Sequence, residues 1–299
     1  MLDVVIIGSG PAGIPAAIYA KRANLNVAVV EKEYLGTGQI AESSRVDNYP
    51  GIPGIDGYSL GEKFREHAES LGVELTEAQV LSLGQKDGIW IIGCDEDITL
   101  ESKAVIYATG CKNRPLGVPG EEKYYGRGLS FCAVCDGAFY KGKRVAVIGG
   151  GDTALDDAMY LSDICEKVYL VHRREFFRGS ASTLEKLKQK ENVEIIVNAR
   201  VEEITGDKKI DGIILDNKTK LNISGLFAAV GMIPQTELLK EFGVLDESNY
   251  VKASEDTKTT VNGLFAAGDV RTKQLRQVVT AAADGANAIY SVMEYLRNI

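Results

Sequence analysis

The chain has no run of about 20 apolar residues, the length a helix needs to cross a bilayer, and no basic leader ahead of its first apolar stretch. Its opening, Met1-Leu2-Asp3-Val4-Val5-Ile6-Ile7, reads as a strand and not as a signal peptide. Histidine is nearly missing: His67 and His172 are the only two. Cysteine is scarce as well, with five residues and a single Cys-x-x-Cys pair. A structural zinc site draws four Cys or His ligands, so zinc is a poor reading of Cys132 and Cys135. Positive charge is in deficit, with 34 Lys and Arg against 42 Asp and Glu and a net charge of -8. That balance argues against nucleic acid or an acidic membrane as partner. No low-complexity segment or long charge run is present. These absences describe a cytoplasmic globular protein, in a compartment where structural disulfides are rare.

What is present is a repeated plan. The 299 residues, 45% hydrophobic and 25% charged, suit two ordinary domains. Val4 to Ile7 has the pattern of a buried strand. Gly8-Ser9-Gly10-Pro11-Ala12-Gly13 follows, then a helical run through Arg22, the strand-like Val27 to Val30, and an acid, Glu31. This is G-x-G-x-x-G in a βαβ context. The glycines allow a tight turn and let a pyrophosphate approach the helix N-terminus, whose dipole and free N–H groups favour anions. Glu31 is spaced to accept hydrogen bonds from a ribose. Pro15 is tolerated if it falls in the first helical turn, where its missing N–H has no intrahelical partner.

The plan recurs at Val145 to Ile148, Gly149-Gly150-Gly151-Asp152-Thr153-Ala154, a helix through Leu161, and the strand Val168 to Val171. Ala154 replaces the third glycine and still permits close helix–strand packing. Counted from the first glycine of each fingerprint, Glu31 and His172 are equivalent. The first copy therefore offers a carboxylate to a ribose, and the second offers His172, Arg173 and Arg174, with Arg178 close behind. A carboxylate suits a free 2′-hydroxyl and a guanidinium cluster suits a 2′-phosphate, so the second site is expected to prefer NADP over NAD.

Further strand-like segments lie at 104–110, 226–231 and 263–269, and an alanine-rich helix runs from about Val278 to Leu296. The expected fold is α/β, with two Rossmann-like three-layer domains, one inserted in the other. Residues 1–114 and 247–299 form the first; residues 115–246 form the second. Pro115 and Pro119 mark the outward connection and Asp246-Glu247-Ser248-Asn249 the return. Cys94, Cys111 and Cys165 stand apart and read as core or surface residues. Cys132-Ala133-Val134-Cys135 sits between the two fingerprints, and such a pair can cycle between dithiol and disulfide.

With these motifs in order the chain resembles the low-molecular-weight, bacterial-type thioredoxin reductases, essentially end to end. The resemblance rests on GSGPAG at 8–13, TGQ at 37–39, DNYPG at 47–51, CAVCD at 132–136, GGGDTA at 149–154, HRREFFR at 172–178, GLFAAGDV at 263–270 and RQV at 276–278. It implies a homodimer with FAD in the first site and NADPH in the second, and thioredoxin or a similar protein as partner. The FAD contacts it implies include Gly8, Ser9, Gly10, Pro11, Ala12 and Gly13 of the fingerprint, and Glu31 with Lys32. Gly38, Gln39, Asn48, Val80 and Gly110 follow along the chain. Gly268 and Asp269 would hold the ribityl and phosphate portion, and Arg276, Gln277 and Val278 would lie toward the flavin ring. The NADPH contacts it implies are Gly149, Gly151, Asp152, Thr153 and Ala154, with His172, Arg173, Arg174 and Arg178.

By the same resemblance Cys135 meets the flavin, Cys132 attacks the substrate disulfide, and Asp136 is the general acid–base. Asp136 could instead be an N-cap or turn aspartate. Departures from the family are Thr37, where glycine is frequent, and Gly179, where alanine is frequent. A ferredoxin-dependent relative would lack the second fingerprint and its arginines. A hydroperoxide reductase flavoprotein would carry an extra region before the first fingerprint. The remaining alternatives are a related reductase using NADH, or another redox protein as acceptor, and a non-enzymatic redox-sensing module.

Overall fold

The computed structural model describes every residue except 34–36 and 44. It divides into two compact α/β units: residues 1–112 with 233–299, and residues 113–232 inserted in that chain.

The first unit is built on β1 (Leu2–Ile7), α1 (Gly13–Arg22), β2 (Val27–Glu31), α2 (Gly57–Ser70), β3 (Glu74–Glu77), β4 (Val80–Lys86), β5 (Ile89–Cys94) and β6 (Thr99–Tyr107). The sheet order is β3-β2-β1-β6-β5-β4, and the short strand Leu264–Ala266 pairs with β6. β1 is parallel to both β2 and β6. Successive residues of a strand face opposite sides, and β1 is apolar on both. Val4 and Ile6 pack with Ile14 and Ala17 of α1 and with Ala288 and Val292 of the C-terminal helix Val278–Leu296. Val5 and Ile7 pack with Trp90, Val105 and Tyr107 on the other face. A strand covered on both faces reads as a continuous hydrophobic run, which is what the sequence has at 4–7. The two helices meet closely because Gly285 carries no Cβ: one placed there would stand 2.3 Å from the Ala12 carbonyl oxygen. Pro15 is the third residue of α1, within the turn whose N–H groups have no helical partner.

The return boundary differs from the expected one. The chain re-enters the first unit at Ile233 and not near residue 247. Leu238, Leu239, Phe242, Val244 and Leu245 join the apolar cluster on the β1 face that holds Val5 and Ile7. Asp246 forms a tight turn within this unit, its Oδ1 accepting the N–H groups of Ser248 and Tyr250.

The second unit has a five-stranded, wholly parallel sheet in the order Val193–Ile196, Lys167–Val171, Arg144–Gly149, Gly225–Ala229, Leu129–Ser130. Val145 and Val147 face the helix Asp152–Ser162 through Ala154, Leu155 and Ala158. Ala146 and Ile148 face a cluster containing Ile204, Ile213, Leu215 and Leu221. These last residues come from an antiparallel three-stranded meander, Val201–Thr205, Gly212–Leu215 and Lys220–Asn222, which covers this face of the sheet. Among the described residues no helix is long and apolar enough to cross a membrane.

Candidate functional site

The first fingerprint is a turn that only glycine can make. Gly8 has φ +104°, and a Cβ on it would lie 2.6 Å from the Ala108 carbonyl oxygen. A Cβ on Gly13 would lie 1.8 Å from the Gly8 oxygen. Gly38 has φ +71°, and a Cβ there would lie 3.2 Å from the Cα of Gly10. Beside it, Gln39 belongs to the short 3-10 segment Gly38–Glu42. The buried hydroxyl of Thr37 has no hydrogen-bond partner among the described residues. No side chain caps α1 at Ala12, and of its first residues the Ile14 N–H is taken by the Gly10 carbonyl at 3.2 Å while Pro15 has none. Pro11 lies in that same turn, ahead of the helix.

Glu31, at the end of β2, is aimed at this turn. Its Oε2 accepts from the Ser9 N–H at 2.9 Å and from the Ser9 hydroxyl at 3.0 Å, and its Oε1 accepts from the Lys32 N–H at 2.8 Å. The Lys32 side chain is exposed and pairs with Glu33 at 3.4 Å. Val80 opens β4 two residues after Ala78, whose N–H donates to the Glu31 carbonyl. Gly110 follows β6 at φ +67°.

The second half of this site comes from the far end of the chain. Gly268, at φ +80°, packs its Cα against Ala12: a Cβ there would lie 2.8 Å from the Ala12 Cβ. The next residue, Asp269, holds a buried Oδ1 that meets no partner among the described residues. Burial pushes its carboxyl up, against the pull of the Lys273 and Arg276 charges. A buried carboxylate oxygen without a donor is costly, and a hydroxyl-bearing ligand would supply one. Arg276 donates from Nε to the Asp269 carbonyl at 3.4 Å and lies over the Tyr250 ring at 4.3 Å. The thiol of Cys111 donates to the same carbonyl at 2.9 Å. Gln277 caps the C-terminal helix and accepts from Asn48 Nδ2 at 2.7 Å. Val278 packs against the cluster of Ile40, Val46 and Leu60. The orphaned Asp269 oxygen, the orphaned Thr37 hydroxyl and the glycine cradle fit a dinucleotide such as FAD.

In the second unit Gly149 fits against Ala154 and Ala229: a Cβ there would lie 2.4 Å from the Ala229 oxygen and 2.7 Å from the Ala154 Cβ. Gly151 caps the helix without a side-chain bond, and Asp152 and Thr153 form its exposed first turn. Asp152 Oδ1 accepts from the Ser180 N–H at 2.7 Å. His172 is buried beneath Gly150, where a Cβ would stand 2.2 Å from the ring. Its Nε2 bonds the Phe176 carbonyl at 3.2 Å. Burial, with help from the neighbouring arginine charges, pushes its pKa down. The Arg178 and Gly179 N–H groups both donate to the Gly150 carbonyl. Neutral His172 thus anchors the loop under the fingerprint, while Arg173, Arg174 and Arg178 are exposed. Such a loop fits the adenosine phosphate end of a pyridine nucleotide.

Cys132 and Cys135 are joined in a disulfide with Cα atoms 5.3 Å apart. Cys132 caps the single helical turn Ala133–Asp136, and the Cys135 N–H points at its sulfur across 3.2 Å. Val134, between the two, is exposed. Asp136 does not use its side chain as a cap; its Oδ2 accepts the Ser130 hydroxyl at 2.6 Å. The same hydroxyl oxygen accepts the Cys132 N–H at 3.1 Å. Burial pushes the Asp136 carboxyl up, and the Ser130 bond opposes this. Cys94, Cys111 and Cys165 are buried and outside any disulfide, and burial raises all three thiols. Among the described residues no group of side chains could hold a metal ion.

Sequence reading missed Ser130, Tyr250 and the Asp284 cluster described below. The signal for Asp284 was available: an acid in the midst of an alanine-rich, apolar helix is buried and must be paired.

Two fingerprint turns and one disulfide define a protein with two dinucleotide-binding folds, equipped for dithiol–disulfide chemistry. The chain belongs to the pyridine nucleotide-disulphide oxidoreductase family, which it matches over residues 2–285. It is 40% identical to the thioredoxin reductase of Helicobacter pylori, the match covering 100% of both chains. It is 38% identical to the thioredoxin reductase of Bacillus subtilis, over 99% of this chain and 95% of that one. Its structure is similar to the crystal structure of thioredoxin reductase from Streptococcus pyogenes, with a TM-score of 0.93 and 39% identity, covering 100% and 99% of the two chains.

Proposed function

We propose that this oxidoreductase is a cytoplasmic, homodimeric thioredoxin reductase that passes electron pairs from NADPH through FAD and the Cys132–Cys135 disulfide to oxidised thioredoxin. The observation that carries the reading is the closed disulfide beside a carboxyl whose pKa is raised, in a unit that also bears a fingerprint and three exposed guanidinium groups.

FAD, when bound, supplies the link between hydride transfer from a nicotinamide and two-electron reduction of a disulfide. The first unit would hold it with the Gly8–Gly13 turn against the pyrophosphate, Glu31 on the adenosine ribose and Asp269 accepting a hydroxyl of the ribityl chain. The second unit would hold NADPH, with Arg173, Arg174 and Arg178 on its 2′-phosphate. Cys135 would be the sulfur that receives the electron pair in this assignment. Reduction opens the disulfide to two thiols, and the Cys132 thiolate attacks one sulfur of thioredoxin, displacing the other as a thiolate. Asp136, whose carboxyl is pushed up by burial, serves as the acid that passes a proton to that leaving sulfur. Cys135 then closes on Cys132 and releases reduced thioredoxin. NADPH contributes a hydride, solvent a proton, and thioredoxin leaves with two thiols.

The test is anaerobic reduction by NADPH and by NADH in a stopped-flow instrument, followed by addition of oxidised thioredoxin. Cys132→Ser and Cys135→Ser are expected to keep the yellow flavin and its reduction by NADPH while losing thioredoxin turnover. A colourless protein, or turnover surviving both substitutions, would sink the reading.

A further inference from the structure

One densely bonded buried charge in the first unit lies outside the predicted cofactor contacts. Asp284, in the C-terminal helix, is 2% exposed. Its Oδ2 accepts from the Gly268 N–H at 2.8 Å, from Arg271 Nε at 2.9 Å and from Lys273 Nζ at 2.9 Å. Its Oδ1 accepts from Arg271 Nη2 at 2.6 Å. Burial alone would raise this carboxyl; the Arg271 and Lys273 bonds outweigh it and hold the carboxyl below its ordinary value. Arg271 also donates from Nη1 to the carbonyls of Ala253 and Thr272. A buried ion pair survives when its remaining polar atoms are also satisfied, and this one is.

The carboxylate thereby ties three points of one loop, residues 268, 271 and 273, to a helix that packs on α1. Gly268, at φ +80°, is the residue before Asp269, whose Oδ1 is buried and without a partner among the described residues. A free loop with that conformation would let Asp269 rotate toward water. Arg271 and Lys273 outnumber Asp284 by one positive charge. Glu255, 3.7 Å from Arg271, is too exposed to cancel it. Lys273 draws the Asp269 carboxyl downward, against burial and the Asp284 charge, which together raise it.

We propose that Asp284 is a positioning residue for the flavin: with Arg271 and Lys273 it presets the Gly268–Asp269 turn so that Asp269 meets the cofactor without reorganisation. The proposal rests on the assignment of FAD to the first unit. A merely structural clamp would stabilise the apoprotein and leave flavin affinity alone. A presetting clamp governs affinity itself, because the ordering is done before binding.

The experiment strips the flavin from the wild-type protein and from Asp284→Asn and Lys273→Met. FAD dissociation constants are then measured by quenching of flavin fluorescence, and apoprotein unfolding is followed by circular dichroism. Asp284→Asn is expected to weaken FAD about tenfold or more, the scale of a hydrogen bond lost from a charged group. Lys273→Met, which leaves the Arg271–Asp284 pair and the Gly268 bond in place, is expected to weaken FAD about threefold with its unfolding midpoint close to wild type. FAD affinity within twofold of wild type in the folded variants overturns the proposal, and if Asp284→Asn does not fold, Lys273→Met decides alone. Wild-type apoprotein that fails to bind FAD at all overturns the flavin assignment itself, and the proposal with it.

Discussion

The hydroxyl of Ser130 donates to Oδ2 of Asp136 across 2.6 Å, and its oxygen takes the N–H of Cys132 at 3.1 Å. One buried side chain therefore joins the proposed proton donor to the backbone of the proposed attacking cysteine. Ser130→Ala removes the hydrogen bond that lowers the Asp136 carboxyl, so its pKa rises further. The expected outcome is slower exchange with thioredoxin, by about tenfold, and a pH profile displaced upward. Flavin reduction by NADPH should stay within twofold of wild type. Asp136→Asn should slow the same exchange by on the order of a hundredfold. Stopped-flow traces of the two half-reactions check both variants.

The proposed function gives donor choice to the arginines of the second unit. Replacing Arg173 and Arg174 together by alanine is expected to raise KM for NADPH by about tenfold or more, as loss of charge-assisted bonds to a phosphate should. KM for NADH should hardly move, since NADH carries no 2′-phosphate. Steady-state kinetics with both donors measure the split; equal changes for the two nucleotides would count against the assignment.

Gly150 supports that loop from below. A methyl at this position would stand 2.2 Å from the His172 ring, which is itself buried and cannot swing aside freely. Gly150→Ala is expected to push His172 off its bond to the Phe176 carbonyl and to cost about 1–3 kcal/mol in stability, the usual range for overpacking. Pyridine nucleotide affinity should fall while FAD content is unchanged. Thermal melts and fluorescence titration distinguish the two effects.

Asp157, half-buried in the helix that follows the second fingerprint, has its carboxyl pushed up from 3.8 to about 7 by burial and by repulsion from Asp156. Below the unfolded value both states are protonated. As pH rises from about 4 to about 7 the unfolded chain gives up this proton while the native state keeps it. The native state therefore loses stability across that window, and the loss levels off above it. Asp157→Asn should remove that part of the pH dependence. Melting temperatures of variant and wild type should agree near pH 4 and diverge in favour of the variant toward pH 8.

Much of the fold could be read directly. The apolar runs at 4–7 and 145–148 sit in strands covered on both faces, and the glycines at 8, 13 and 149 stand where a Cβ would strike backbone. These requirements are local and leave a mark at fixed spacing. The return boundary left no such mark. The segment 237–245 carries apolar residues at spacings that could pack on any neighbouring surface, and its contacts with the core of the first unit assign it there. The meander at 201–222 was likewise invisible as a cover for the parallel sheet, since its alternation names a buried face but not what buries it.

The amino-acid order alone established two nucleotide-type turns, one cysteine pair between them and a change from a carboxylate to guanidinium groups at equivalent positions. All of these depend on residue type at short, fixed intervals. The three-dimensional arrangement decided that His172 is a buried prop, that Ser130 holds Asp136, and that Asp284 is saturated while Asp269 next to its partner Gly268 is left with a bare oxygen. Burial and charge pairing are imposed by residues that are distant along the chain, so no reading of neighbours in sequence could assign them.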